Sequence, residues 1–285
     1  MTDFFLFKNS ALVFLLLPLL SLKDGGTSLG RQPWQKWRHR ANVQKDEYIK
    51  IFWVGLIDGD GSIQVNHCRK KYLQFRLVIK LSNITSNYNM LLKIAKVIGG
   101  NVRITGKGAD VIWVVNKKET VIEIIKIFET YPLLTSRKIC QLLFLKKCLL
   151  ENSVDFYLVN RDNKYTNQKY IIKSFETCKA CKALLFSNYF KSWLSGFIEA
   201  EGCFSIRKNN NHSFSIVKND DFYIINRIKE YIKSTNIVRN PYGNFYSLEI
   251  YKKETLKQIT NHFYYYPLLG EKAESLKRFN QIVQL

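Results

Sequence analysis

Acidic residues are scarce in this sequence: 23 Asp and Glu stand against 44 Lys and Arg in 285 residues, a formal charge of +21. An excess this large is more than solubility requires. It points to a polyanionic partner, whether DNA, RNA or an anionic membrane. Cysteine is sparse and scattered, at positions 68, 140, 148, 178, 181 and 203. A chain of this length can bury a proper core without disulfide staples, so a reducing compartment is expected. Only Cys178 and Cys181 form a CxxC pair, no second pair stands at a useful spacing, and His212 and His262 are remote in sequence. That argues against a zinc site. A long apolar run is also lacking. Lys8, Asn9 and Ser10 interrupt Phe4–Leu22, and the clean stretch Ala11–Leu20 is short for a membrane span. No basic lead precedes it, as a signal peptide would have. A weak anchor, a targeting remnant and a segment translated from an upstream reading frame all stay open. Arg31–Lys45 is basic and contains Trp34 and Trp37; it reads as an arm touching phosphates or as a linker, and residues 1–45 are expected to be poorly ordered.

What the sequence does have is a copy of itself. Residues 53–63 read WVGLIDGDGSI and residues 193–206 read WLSGFIEAEGCFSI. Gly55 matches Gly196, Asp58 matches Glu199, Asp60 matches Glu201 and Gly61 matches Gly202, all at one offset of 141. Lys117–Thr120 recurs as Lys252–Thr255, and Tyr131-Pro132-Leu133-Leu134 recurs as Tyr266-Pro267-Leu268-Leu269, both at an offset of 135. Punctuation repeated in the same order marks a duplication. The change of offset puts six extra residues between Ile63 and Asn101, most naturally in the loop around His67–Tyr72.

Each copy carries the same elements. Residues 46–59 and 187–200 read as helices leading into the motif. Leu73–Leu81 alternates apolar and polar side chains, the period of a half-buried strand, and Ser213–Ile216 repeats this in the second copy. Ser86–Ile98 and Asp220–Ile232 have helical spacing with polar starts. Two more strands and two more helices follow in each copy, which is the order αββαββα, twice, with one further helix closing each copy. This is an α/β (α+β) chain of two pseudo-symmetric halves, 46–149 and 187–285, joined by a connector over 150–186 that is rich in Lys, Asn and Tyr.

Gly55 and Gly196 lie inside apolar helices, where glycine costs about 1 kcal/mol against alanine. That cost is useful where two backbones must approach. The two motif helices are therefore expected to pack face to face, with Gly55, Ile57, Gly196 and Ile198 in the seam. Asp60 and Glu201 fall at the helix stops and must then converge. Converging carboxylates at helix C-termini repel each other and the helix dipoles. A divalent cation relieves this, and oxygen ligands favour Mg²⁺ or a similar hard ion such as Mn²⁺. An EF-hand does not fit Asp58-Gly59-Asp60-Gly61, because the twelfth loop position is Arg69 where that loop needs Glu. A plain turn does not account for the recurrence of both acids at fixed spacing.

These paired segments resemble the motifs of the LAGLIDADG homing endonucleases of the single-chain, two-motif type, from about residue 48 to 285. The resemblance implies two four-stranded antiparallel saddle sheets over the DNA major groove, a monomer needing no protein partner, and metal-dependent double-strand cleavage. It implies that Asp60 and Glu201 are the metal-binding catalytic acids. A basic residue five positions after the Pro of each Tyr-Pro-Leu-Leu segment is expected near the metal: Lys272 in the second half and Arg137, with Lys138 beside it, in the first. A polar residue is expected at the end of each half's second strand, and Asn83 and Val217 hold those places. Val217 cannot order a water, which leaves a neighbour such as Lys218 for that task.

The polar sheet faces supply the residues expected to meet DNA. In the first half these are Ser62, Gln64, Asn66, Arg69, Lys71, Gln74, Arg76, Lys80, Asn83, Arg103 and Lys107. In the second half they are Ser205, Arg207, Ser213, Ser215, Arg239 and Ser247. Arg, Gln and Asn suit base edges while Lys mostly meets phosphates. The halves differ at these positions, so the target should be only partly palindromic. The alternative reading is an intron maturase that binds intron RNA, as some members of the family do. Persistence of both acids favours the nuclease. A composition rich in Lys, Asn, Ile, Phe and Tyr suggests an AT-rich gene, and with the resemblance an organelle intron, most readily mitochondrial.

Overall fold

The computed structural model describes residues 33–207 and 212–283. The apolar segment Phe4–Leu22 lies outside them. The first half runs α1 (Pro33–Gly59), β1 (Ser62–Cys68), β2 (Tyr72–Ser82), α2 (Thr85–Ile98), β3 (Asn101–Thr105), β4 (Asp110–Val115), α3 (Lys118–Thr130) and α4 (Ser136–Glu151). Three connector helices follow: α5 (Val154–Asn160), α6 (Gln168–Thr177) and α7 (Lys179–Phe186). The second half runs α8 (Asn188–Glu201), β5 (Gly202–Ser205), β6 (Ser213–Asn219), α9 (Phe222–Tyr231), β7 (Phe245–Ile250), α10 (Lys253–Tyr265) and α11 (Glu271–Val283). The first motif helix starts at Pro33, earlier than the expected Asp46, because nothing between Trp34 and Lys45 breaks it: the stretch holds no Gly or Pro.

The first sheet is antiparallel with order β1-β2-β4-β3. Its inner face presents Phe75, Leu77 and Ile79, all buried, to a core in which Trp53 packs edge-on to Trp113 at 5.5 Å and stacks on Phe128 at 5.0 Å. The second sheet is smaller, with three strands in the order β5-β6-β7. Its fourth strand is reduced to one bridge between Arg239 and Ser247. The chain after Arg239 runs Asn240-Pro241-Tyr242-Gly243; proline has no N–H to give a ladder, and Gly243 turns with φ of 52°.

The two motif helices α1 and α8 form the centre of the molecule. A Cβ placed on Gly55 would lie 2.0 Å from the carbonyl oxygen of Trp193, and one on Gly196 would lie 1.8 Å from that of Phe52. The glycines are the contact itself, since only a residue without a side chain permits this approach. Ile57 and Ile198 are buried but do not fill the seam as expected. Each lies two residues beyond its glycine, about 200° round the helix, and packs back over Gly61 or Gly202 of its own half. They are core residues of the separate halves.

The halves are also tied by matched hydrogen bonds. The Tyr48 hydroxyl donates to the carbonyl of Pro267 at 2.6 Å, and that of Tyr189 to the carbonyl of Pro132 at 2.5 Å. Each motif helix thus holds the Tyr-Pro-Leu-Leu segment of the opposite half. The connector is folded as helices that brace this arrangement. Ile171, Phe175, Leu184 and Leu185 are buried, and Phe175 stacks on Tyr223 at 4.6 Å. Its periodicity was masked by polar residues that lie on the outer faces.

Gly55→Ala is expected to lower unfolding stability by about 3 kcal/mol, the upper range for overpacking, despite alanine's better helix propensity. Gly196→Ala should behave alike. Urea denaturation checks this, and a loss below about 1 kcal/mol in both variants would mean that the helices do not meet through these glycines.

Candidate active site

Both motif helices end at one place. The N–H of Asp60 still bonds to the Leu56 carbonyl at 3.0 Å, so Asp60 stands on the last turn of α1, as Glu201 does on α8. The ends touch: a Cβ on Gly59 would lie 2.2 Å from that of Ala200 and 3.3 Å from Cγ of Glu201. Asp60 and Glu201 are accordingly brought together. Withdrawal from water, and after it the charge of Glu201, raise the Asp60 carboxyl to about 6 against the opposing pull of Lys218, Lys138 and Lys272. Among the described residues, no cation lies within ion-pair distance of Asp60, whereas Glu201 is paired with Lys218 at 2.7 Å.

The other acid of each motif has a different task. Asp58 is fully buried and accepts from the N–H groups of Leu134 and Thr135 at 2.8 and 3.1 Å, from the Thr135 hydroxyl at 2.6 Å and from the Trp193 indole at 2.7 Å. Glu199 accepts from the N–H groups of Leu269, Gly270 and Lys272 at 3.1, 3.0 and 2.9 Å. Burial pushes both carboxyls up, and these donors pull them back. Each acid therefore fastens the loop after its own half's Tyr-Pro-Leu-Leu segment to the motif helix. The helix starts that follow are capped across the molecule: Asp221 accepts from the Ser136 N–H at 3.2 Å and Asn87 from that of Glu271 at 3.0 Å.

Those helix starts deliver the cations. Lys272 follows Glu271 at the head of α11, close enough to act on the charge of Asp60. In the first half the residue in this role is Lys138, not Arg137. Lys138 donates from Nζ to the carbonyl of Gly61, and burial, followed by the charge of Lys218, holds its ammonium below the usual lysine range. Arg137 lies one residue earlier, about 100° round the same helix. Its guanidinium points instead to Asp220 at 4.0 Å and over the Tyr165 ring at 5.0 Å. Arg137 holds the same place in α4 as Lys272 in α11, the second residue of the helix, but Asp220 and Tyr165 draw its side chain away, and the next residue supplies the cation.

The strand position nearest the acids also differs from expectation. Gly202 pairs with Ile216 in the second sheet and Ser62 with Val78 in the first. Matching Gly61 to Gly202 then sets Ile79 against Ile216, and Leu81 against Lys218. Asn83 and Val217 are not the counterparts of each other. Asn83 lies past the end of β2 and donates its amide to the Gly108 carbonyl at 2.8 Å. Lys218, on the inward parity of β6, reaches Glu201 and also the Asp58 carbonyl at 3.3 Å. The signal for it was strand parity: Phe214, Ile216 and Lys218 share one side.

The outward faces flank this cluster. In the first sheet Ser62, Gln64 and Asn66 on β1 stand beside Arg76 and Gln74 on β2, with Lys80 and Arg103 further across on either side of Ile112. Arg69, Lys71 and Lys107 are exposed in the turns, Arg69 and Lys107 with φ of 48° and 55°. Lys80 is paired with Asp110 at 2.8 Å. The second face is poorer in free charge. Ser205 and Ser215 are half-buried, and Arg239 and Ser247 bridge at the edge. Arg207 is paired with Glu249 at 2.8 Å. Ser213 does not belong with the available residues, because it is fully buried and donates its hydroxyl to Glu249 at 3.1 Å.

Comparison with known proteins followed the duplication. The sequence profile of the LAGLIDADG endonucleases matches residues 53–148 and 194–283. A protein described as a probable intron-encoded endonuclease aI3 of Debaryomyces hansenii is 51% identical over 263 residues, covering 83% of this chain and 38% of that one. This chain therefore spans well under half of that relative. A protein of the same description from Dictyostelium citrinum is 46% identical over 241 residues, covering 82% of this chain and 94% of its own length. Among solved structures, the I-SmaMI LAGLIDADG homing endonuclease bound to cleaved DNA shares the fold with a TM-score of 0.61 at 18% identity, over 82% of this chain and 88% of that one.

The Asp60 shift has a sign that can be tested. A carboxyl raised from 3.8 to about 6 in the folded protein costs nothing below its unfolded value and its full penalty above about 6. Discounted for exposure of this residue, the penalty is on the order of 1 kcal/mol. Asp60→Asn should therefore raise the melting temperature of the metal-free protein by roughly 2–4 °C at pH 8, with the gain fading towards pH 4. An equal gain at both pH values would remove the charge explanation.

Proposed function

Because the chain belongs to the LAGLIDADG endonuclease family, we propose that it is a site-specific endonuclease that hydrolyses both strands of double-stranded DNA, acting as a monomer with Mg²⁺ or Mn²⁺. The observation that carries this reading is the convergence of Asp60 and Glu201 at the ends of two helices that touch, ringed by Lys138, Lys218 and Lys272. The donor set fits a hard divalent ion. Asp60 offers carboxylate oxygens with no ion partner among the described residues, and its raised carboxyl, at about 6, is one that a bound cation would bring down. Among the described residues no cluster of three His, Cys, Asp and Glu is present, so water and phosphate oxygens would complete the shell, as such ions accept.

In this reading Asp60 and Glu201 hold the metal, which when bound supplies an activated water and polarises the phosphate. The chain's own residues do the rest. Lys272 and Lys138 offset the negative charge that builds on the phosphate as water adds, and the fastening of their helices by Glu199 and Asp58 fixes where they stand. Arg137, engaged with Asp220, has a supporting place outside this set. The outward faces of the two sheets read the duplex: Gln64, Asn66, Gln74, Arg76 and Arg103 against base edges, and Lys71, Lys80 and Lys107 against phosphates. The second face, with Arg207, Ser215, Arg239, Ser205 and Ser247, differs enough that the site would be only partly palindromic. The intron-encoded descriptions of the relatives support an origin in an intron, and a relative of 27% identity described as a mitochondrial protein supports a mitochondrial setting.

The test is incubation with DNA carrying the intron-less form of the host gene. Cutting of both strands is expected with Mg²⁺ and not with EDTA. Asp60→Asn and Glu201→Gln should each reduce the rate by about a hundredfold or more, and at limiting Mg²⁺ the rate should climb as pH rises through about 6, where metal-free Asp60 loses its proton. Undiminished cutting in EDTA or in Asp60→Asn would overturn the reading. Tight binding of intron RNA with no cutting under any condition would replace it with the maturase.

A further inference from the structure

The site is not symmetric, and the departure is one charged side chain. Lys218 sits with Nζ 2.7 Å from Oε1 of Glu201 and 3.3 Å from the Asp58 carbonyl. It lies over the Phe197 ring at 5.2 Å. Its side chain is 13% exposed and that of Glu201 22%. Three partners and little solvent make this a fixed pair rather than a loose surface contact. A charge-assisted bond of this length is among the stronger kinds, and partial burial spares it from screening by salt. In the first half the matching position is Leu81, and Asp60 has no ion partner within 4.0 Å among the described residues.

We propose that Lys218 is a resident counter-cation that must release Glu201 before a divalent metal can use that carboxylate, so that metal enters by way of Asp60. The inference rests on the nuclease reading above. An ammonium and a divalent ion cannot share one carboxylate oxygen without strong mutual repulsion, so metal binding at Glu201 includes the cost of moving Lys218. The move is cheap only if another anion receives the ammonium. A DNA phosphate lying across the acids is such an anion. Loading of the Glu201 side is therefore coupled to the arrival of DNA, while the Asp60 side is free to bind beforehand. Lys218 is a positioning residue here: it holds Glu201 rather than taking part in the hydrolysis itself. Lys138 is the natural control, because its charge also acts on Asp60 but it donates to a backbone carbonyl, not to an acid.

The experiment measures Mn²⁺ binding to the DNA-free full-length protein by calorimetry and by the loss of free-ion electron spin resonance signal. Lys218→Met and Lys138→Met each remove one positive charge from the site. Lys218→Met is expected to tighten Mn²⁺ binding about fivefold more than Lys138→Met does. Its melting temperature should fall without metal, when Glu201 has lost its partner, and recover with Mn²⁺. Should Lys218→Met fail to fold, Lys218→Gln keeps a donor for the Asp58 carbonyl and serves in its place. If the two lysine variants tighten binding equally, the effect is general charge and the inference is wrong. It is wrong also if wild-type protein binds Mn²⁺ and cuts DNA while the Lys218 variant binds no more tightly. If no form binds Mn²⁺ and none cuts, the nuclease reading falls and this inference with it.

Discussion

Everything in this structure depends on two helix backbones being in contact. Gly55 and Gly196 leave no room for even a methyl group between α1 and α8. Closeness there decides what happens at the helix ends, because a separation of one more side-chain layer would carry Asp60 and Glu201 apart. The cost is deliberate in physical terms. Glycine inside a helix is unfavourable, and two carboxylates at helix C-termini face both each other and unfavourable dipoles. The large aromatic core on either side of the seam, with Trp53, Trp113, Trp193 and Phe197 fully buried, supplies the burial that offsets these terms.

A second layer of constraint turns the seam into a site. Asp58 and Glu199 look like partners of Asp60 and Glu201 in sequence, two residues earlier on the same helices, yet they face inward and spend their oxygens on backbone N–H groups. Buried carboxylates that accept several such bonds are costly to disturb. They fix the loops that begin α4 and α11, and so fix Lys138 and Lys272. Tyr48 and Tyr189, donating to Pro267 and Pro132, and the cross-molecule caps from Asp221 and Asn87 mean that each half orients the other's cation-bearing helix. The recurrence of the Tyr-Pro-Leu-Leu segments has this physical cause: they are the sockets of both fastenings.

The duplication made the αββαββα order, the touching helices and the converging acids legible from sequence, since each feature occurred twice at fixed spacing. What failed to be legible failed for geometric reasons. Ile57 and Ile198 were read into the seam because they are apolar and close in sequence, when two residues along a helix is nearly the opposite face. Arg137 was read for Lys138 because the repeat aligns it with Lys272, and the repeat carries no sign of the Asp220 and Tyr165 partners that draw it aside. Asn83 and Val217 were set opposite each other by counting, whereas strand register pairs Leu81 with Lys218. The lone bridge in place of the second half's fourth strand and the helices over 154–186 had no repeated signal to expose them. Tyr48 and Tyr189 did have one, an offset of 141 shared with the acids, and it could have been used.

Duplication also explains how asymmetry is tolerated. In a fold held by reciprocal contacts, the parts that touch across the seam must change together or not at all, and these are the parts that match: the glycines, the acids, the two tyrosines. Positions that face only their own sheet or solvent are under no such mutual constraint. The outward faces are such places, rich in Arg and Gln in one half and serine-rich with a paired Arg207 and Glu249 in the other. The chain is thus symmetric where two halves must fit and asymmetric where each meets something else. A surface divided in this way is suited to a partner that is itself asymmetric.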